Sequence, residues 1–189
     1  MITIEVPQIE LFNNDTYEYI YLKATSLKFE HSLVSIAKWE QKWKKPFPGY
    51  QTENVAKMNN IKFTPEEFVS YLECMCMTQN VDPLLLPNLP PDKLLELKSY
   101  MEDPMTATTF KKLPGGGHTS NKIVTNELVY FWMASYQIPF DPCQKWHINR
   151  LLTLINIASV ENAPKKKMSN KETAAQYRAI NAARRKSKK

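Results

Sequence analysis

Leu27-Lys28-Phe29-Glu30-His31-Ser32-Leu33-Val34-Ser35-Ile36-Ala37-Lys38-Trp39-Glu40-Gln41-Lys42-Trp43 is the stretch in which the period of this chain changes. Up to Phe29, apolar residues alternate with polar ones, as on a strand with one buried face. From His31 onward, Leu33, Ile36, Trp39 and Trp43 recur at helical spacing, while Lys38, Gln41, Lys42 and Lys45 fall off that stripe. Pro46 ends the helix. A strand region handing over to a helical one at a single point predicts an α+β fold.

Working back toward the N-terminus, Ile2, Ile4 and Val6 alternate with polar partners, and Asn13-Asn14-Asp15 signals a turn. Tyr17, Tyr19 and Tyr21, then Leu27 and Phe29, continue the period of two. Residues 1–30 therefore read as an antiparallel β-hairpin or a three-strand meander. Working forward, residues 46–62 are polar and loop-like. Thr64-Pro65-Glu66-Glu67 is a helix start with a capping box, and Phe68, Leu72, Met75 and Gln79 follow on one face beside Tyr71 and Cys76. Asp82-Pro83 begins a short proline-bounded piece. Pro91 opens a helix carrying Leu94, Leu97 and Met101, which Asp103-Pro104 closes. A helix over about Lys122–Gln137 contains Leu128-Val-Tyr-Phe-Trp-Met-Ala134. It is apolar on every side and predicts a central buried helix. Asp141-Pro142 opens the next, with a stripe of Ile148, Leu151, Leu152, Ile155 and Ala158.

Composition agrees with a mostly helical body. Of 189 residues 43% are hydrophobic, which is globular, and only four are Gly, which disfavours a turn-rich all-β fold. The 13 Pro fall mostly between the candidate helices. The expected architecture is α+β, mostly α, with an N-terminal antiparallel β-hairpin packed on a helical bundle. It places a globular domain at residues 1–160 (hairpin 1–30, helices 31–160) and a basic tail at 161–189.

The charge is divided in the same way. Residues 164–189 hold ten Lys or Arg against the single acid Glu172, and the rest holds 15 against 18: +9 in the tail and −3 in the body. Ser169-Asn-Lys-Glu172 is a capping box, so a basic, Ala-rich helix is expected there through about Arg185. An isolated helix of that length is marginal in water, so helicity is expected on meeting a partner. Lys165, Lys166, Lys167, Tyr177, Arg178, Arg184, Arg185 and Lys186 are the candidate contacts. The tail suits nucleic-acid phosphates, an acidic or coiled-coil protein, or plain solvation, and it lacks the large apolar face that a membrane surface needs. Trp39, Trp43, Trp132 and Trp146 are the body's candidate partner-binding residues. Core packing or burial in a homo-oligomer interface accounts for them equally well.

Little points to catalysis. Cys143 and His147 share a helix face, but a metal would need two further ligands. Gly115-Gly-Gly-His-Thr-Ser-Asn-Lys122 lacks the ending of a phosphate loop and reads as a hinge or surface loop. His31, His118 and His147 lie far apart, and nothing in the sequence marks their convergence. No enzyme motif, metal, cofactor or small-molecule substrate is expected. Met1–Pro7 has neither a cationic start nor an apolar run, so no secretory signal is expected. Leu128–Ala134 is far shorter than the about 20 residues that span a bilayer. Three Cys without framework spacing fit reduced thiols in a cytoplasmic protein.

Several segments together resemble one family. They are His31-Ser-Leu, Lys38-Trp-Glu, Trp43-Lys-Lys-Pro-Phe47, Met77-Thr-Gln-Asn80, Met101-Glu-Asp-Pro-Met-Thr-Ala107, Phe131-Trp132, Gln144-Lys-Trp-His-Ile-Asn-Arg-Leu-Leu152 and Asn181-Ala-Ala-Arg-Arg-Lys186. Read from about residue 3 to the end, the chain resembles the tail assembly chaperone family of long-tailed bacteriophages. The resemblance implies a late, non-enzymatic protein of the host cytoplasm, absent from the mature virion. Such a protein binds and solubilises the helical tape measure protein and promotes polymerisation of the tail tube protein around it. The alternative expectation is a nucleic-acid-binding or structural virion protein, as at a head–tail junction, using the basic tail.

Overall fold

The computed structural model describes residues 1–108, 122–162 and 177–178. Contacts divide the chain into Met1–Ala158 and Ser159–Lys189. The first unit is α+β and mostly helical. No described helix is long and apolar enough to cross a membrane.

Strand β1 (Ile2–Val6) pairs antiparallel with β4 (Thr25–Phe29), and β2 (Ile9–Asn13) pairs with β3 (Glu18–Leu22). Ile2 faces Phe29 and Ile9 faces Leu22, so both ladders keep one register. They form one long hairpin, not a three-strand meander, broken at Pro7, which has no N–H to donate. The Asn13 side-chain oxygen accepts from the N–H groups of Asp15 (2.9 Å) and Thr16 (3.4 Å) and fixes the tip. Ile4, Val6, Leu22, Leu27 and Phe29 are buried, and Ile9, Leu11 and Ile20 pack on the same core. Tyr17, Tyr19 and Tyr21 are exposed, on the opposite parity from the one expected. The aliphatic Ile20 and Leu22 take the inner face, and the tyrosines are left outside.

Helix α1 (Leu33–Trp43) starts at Ser32, whose hydroxyl accepts from the Ser35 N–H, and ends at Lys44 in a left-handed conformation (φ 54°). It buries Leu33, Ile36 and Trp39. Residues 46–62 are not the polar loop expected. They hold a 3-10 turn at Pro48–Tyr50 and helix α2 (Glu53–Met58), capped by Thr52, with Val55 buried. Phe47 in this stretch is buried at the centre of a ring cluster. Its ring centroid lies 4.6 Å from that of Tyr71, 5.4 Å from Phe63, 5.5 Å from Tyr50 and 5.7 Å from Trp39.

Helix α3 (Pro65–Met75) carries the expected capping box in both directions: Thr64 Oγ1 accepts from Glu67 N at 3.2 Å, and Glu67 Oε2 from Thr64 N at 2.9 Å. It stops at Met75, short of Gln79, because Cys76 is extended and the chain then runs beside β4. There Glu30 N donates to Met75 O (3.0 Å) and Met77 N to Lys28 O (2.8 Å). Leu85, Leu86 and Leu89 fill the core from the proline-rich connection, and α4 (Pro91–Glu102) adds Leu97 and Tyr100.

Helix α5 (Asn126–Ser135) is shorter than expected and is not central. Only Asn126, Val129 and Met133 are buried on it. The central position belongs to α1, which packs on α3. A helical turn α6 (Phe140–Cys143), interrupted at Asp141, precedes α7 (Ile148–Glu161). Asp141-Pro142 thus opens only that turn, and the long helix begins after His147. Its buried stripe is Ile148, Leu151 and Ile155.

Phe47→Ala is expected to cost about 3–5 kcal/mol in urea unfolding, as for a core aromatic. A loss under about 0.5 kcal/mol, the scale of a surface substitution, would show that Phe47 does not hold the cluster together.

Candidate partner-binding surfaces

The structure separates the four tryptophans. Trp39 is 1% exposed, lies edge-on to Phe47 and Phe63, and donates its indole N–H to Glu67 O at 2.8 Å. It is a core residue, and its reading as a partner contact is corrected on that ground. Trp146 is half-buried with the Arg150 guanidinium 4.3 Å from its ring centroid, so its open face is already taken by a cation. Trp43, in the last turn of α1, walls a groove of about 420 Å³ with Pro65, Val69 and Pro87, edged by the Lys42–Glu73 ion pair (3.2 Å). Trp43 Nε1 of α1 and Ser70 Oγ of α3, both lining the groove, are buried with no hydrogen-bond partner. Such orphaned groups cost about 1–3 kcal/mol each.

Trp132 lies on α5, whose composition and environment disagree. The helix is apolar all round, yet Phe131 is 64% exposed, and Leu128 and Trp132 are half-buried. These three sit at i, i+3 and i+4 on the side turned away from Val129 and Met133. Phe140 of α6 is also exposed, and it meets Tyr130 edge-on at 5.5 Å. Trp132 rests partly on the core, so the stripe is an exposed Phe131 flanked by two half-buried apolar side chains, and such an apolar stripe is the geometry by which one helix receives another.

The start of α5 is held by an uncommon cap. Thr125 makes no side-chain cap bond. Instead Glu40 of α1, itself buried, accepts from Asn126 N (2.7 Å) and Phe47 N (2.6 Å). Burial pushes the Glu40 carboxyl upward, and the two N–H bonds pull it back. Gln51 pins Val124, two residues before Asn126, donating to Val124 O (2.6 Å) and accepting from Val124 N (3.1 Å). Lys45 pairs with the buried Glu67, which holds that carboxyl below its usual range.

The structure also brings together two histidines that the sequence left apart. His31 and His147 are 5% and 6% exposed, with ring centroids 5.0 Å apart and edge-to-face. His31 Nδ1 hydrogen-bonds the Tyr71 hydroxyl, His147 Nε2–H donates to Tyr100 O at 3.0 Å, and His147 Nδ1 accepts from Asn149 N at 3.3 Å. Ile148 N donates to His31 O at 2.8 Å. The pair thereby joins the exit of the hairpin to the start of α7. Burial, with a smaller contribution from His147, lowers His31 to about 3. Burial also lowers His147, against the bond to the Tyr100 carbonyl. Cys143 is buried and lies outside any metal group: among the described residues no group of three or more His, Cys, Asp or Glu is placed to hold a metal.

Of the tail candidates, Tyr177 and Arg178 are exposed. Both are helical, within the expected tail helix, whose other residues lie outside the described ones, as do Lys165, Lys166, Lys167, Arg184, Arg185, Lys186, the glycine loop and His118. Comparison with protein-family models, curated proteins and solved structures gives no match.

The two histidines set a pH dependence. Both are neutral in the fold, so below about pH 6.5 the unfolded chain binds protons that the folded chain does not. Their contribution is complete above that pH; for His31 it is lost progressively as pH falls toward its folded value of about 3, and the lowered His147 adds a loss of the same sign. Glu67 adds a loss in the carboxylate range, and Glu40, shifted the other way, opposes it. The urea midpoint should fall between about pH 7.5 and about pH 5, and His31→Gln should flatten that slope. A midpoint that does not move over this range would contradict the buried neutral pair.

Proposed function

We propose that this protein is a non-enzymatic assembly chaperone for the tail of a long-tailed bacteriophage. It masks apolar helical segments of the tape measure protein on the outer stripe of α5. The observation that carries this reading is that stripe: Leu128, Phe131 and Trp132 aligned on a helix whose other side is already packed, with Phe131 64% exposed. A helix-in-groove or helix-on-helix contact needs such anchors, and no chemistry is required of it. Residues 131–132 are also among the segments that carry the family resemblance. On this reading the protein works in the host cytoplasm, hands its client to the tail tube protein and is absent from the finished virion. The basic segment 164–189 recruits a further component.

Co-expression with the tape measure protein of the same phage tests this. Wild-type chain should keep the partner soluble and co-purify with it. Phe131→Glu should abolish both without changing the urea midpoint, because the side chain is mostly exposed. Aggregation of the partner regardless of the chain, or stoichiometric recovery of the chain in mature virions, would overturn the proposal. The net +9 of residues 164–189 favours a second reading, a nucleic-acid-binding virion protein. Salt-sensitive DNA binding lost on neutralising those cations would support it.

A further inference from the structure

The distal half of the hairpin carries a surface that folding does not need. Its inner face, Ile9, Leu11, Ile20 and Leu22, already packs on the core. On the outer side Phe12 is 47% exposed, Tyr19 and Tyr21 57%, and Tyr17 80%. Phe12 and Tyr19 are paired across the ladder with ring centroids 5.1 Å apart, and Tyr17 and Tyr21 each lie 6.4 Å from one member of that pair. Four contiguous exposed rings form a platform on a scaffold that is fixed beneath them. Tyr17 also sits at φ 55°, a left-handed backbone that costs a non-glycine residue about 1 kcal/mol or more. Its ring, 80% exposed, meets only the edge of Phe12 at 6.4 Å among the described ring contacts.

The charges around the rings select what the platform accepts. Residues 9–22 contain Glu10, Asp15 and Glu18 and no Lys, Arg or His. Glu10 stands directly opposite Tyr21 on the ring face, and Glu18, exposed and paired with Asn13 at the last rung, borders that face from the other parity. Nucleobases stack on such rings, but their phosphates would meet a segment of residues 9–23 with three acids against the single cation Lys23, the reverse of a single-strand binding groove. A guanidinium or ammonium gains twice, from the ring face and from the carboxylate beside it. We propose that the Phe12–Tyr21 face is a docking platform for a lysine- and arginine-rich polypeptide segment, held by cation–π contacts and flanking ion pairs. Residues 164–189 show the chemistry of such a segment, with ten cations and one acid. The platform is independent of the α5 stripe, and either can fail without the other.

The test uses a fluorescent peptide of the sequence 164–189 and two full-length proteins: wild type, and a form whose ten tail cations are Gln, so that its own segment cannot compete. Anisotropy at low salt should show saturable binding to the Gln-tail protein. Tyr19→Thr with Tyr21→Thr should weaken it about tenfold, and Glu10→Gln with Glu18→Gln should weaken it and reduce its salt dependence. Both pairs leave strand-compatible, solvent-facing residues, and an unchanged urea midpoint confirms the fold. Absence of binding to the Gln-tail protein overturns the proposal, as does binding that ignores the tyrosine substitutions. So does displacement of the peptide by a single-stranded oligothymidine that depends on the same tyrosines.

Discussion

One carboxylate sets the arrangement of the helical body. Glu40 projects from α1 into the interior and accepts the backbone N–H groups of Phe47 and Asn126. Neither donor has another partner of comparable reach, and a buried N–H left unbonded costs about as much as the bond itself is worth. The first bond turns the chain back after α1 so that Phe47 enters the ring cluster with Tyr71, Phe63 and Trp39. The second caps α5 in place of a local residue. Gln51 repeats the device two residues earlier by gripping Val124. Segments far apart in sequence are thus joined through main-chain groups, which tolerate no shift in register.

The clamp explains why α5 keeps an apolar outer side. A helix free to roll would bury Phe131 and Trp132 together with Val129 and Met133, since burial of such side chains is worth about 1.5–3 kcal/mol each. Fixing the first residue of α5 against α1 fixes its rotation: the Asn126–Val129–Met133 edge is buried, Tyr130 and Trp132 pack on the core in part, and Phe131 is left exposed. The exposed stripe is then a property that the fold maintains against the hydrophobic effect. On the proposed reading, this departure from local consistency marks the surface that meets the client. The outer rings of the hairpin present the same departure on a different element.

Much of the framework was legible because its signals are local. The switch of period at Phe29–Leu33, the Thr64–Glu67 capping box and the Pro91 helix start each specify an element within a few residues. What was not legible depends on distance. α2 has six residues, too few to hold as an isolated helix, and it exists because Val55 is buried. Trp39 and Trp43 lie on one stripe, yet one is enclosed and the other walls a groove, because α1 ends there. Both parities of β3 are apolar enough to be the inner face, and only packing against the helices separates Ile20 and Leu22 from the tyrosines. The His31–His147 pair leaves no trace in sequence, since each residue sits at an element boundary and gains meaning only from the other. The apolar outer face of α5 is visible in composition, which predicts burial there, whereas Phe131 is exposed. Hydrophobicity on every side of a helix reports that no side is polar, not that every side is covered.

The most direct measurement is amide hydrogen exchange in the full chain at two backbone groups, Phe47 and Asn126. If Glu40 holds α1, the ring cluster and α5 together, both amides exchange only with the global unfolding seen for the interior of α1 and α3, although one lies in a connection and the other at a helix's first residue. Exchange of either at the rate of a fraying terminus, with α1 still protected, would mean that the clamp is not what fixes α5, and the account of its exposed stripe would fall with it.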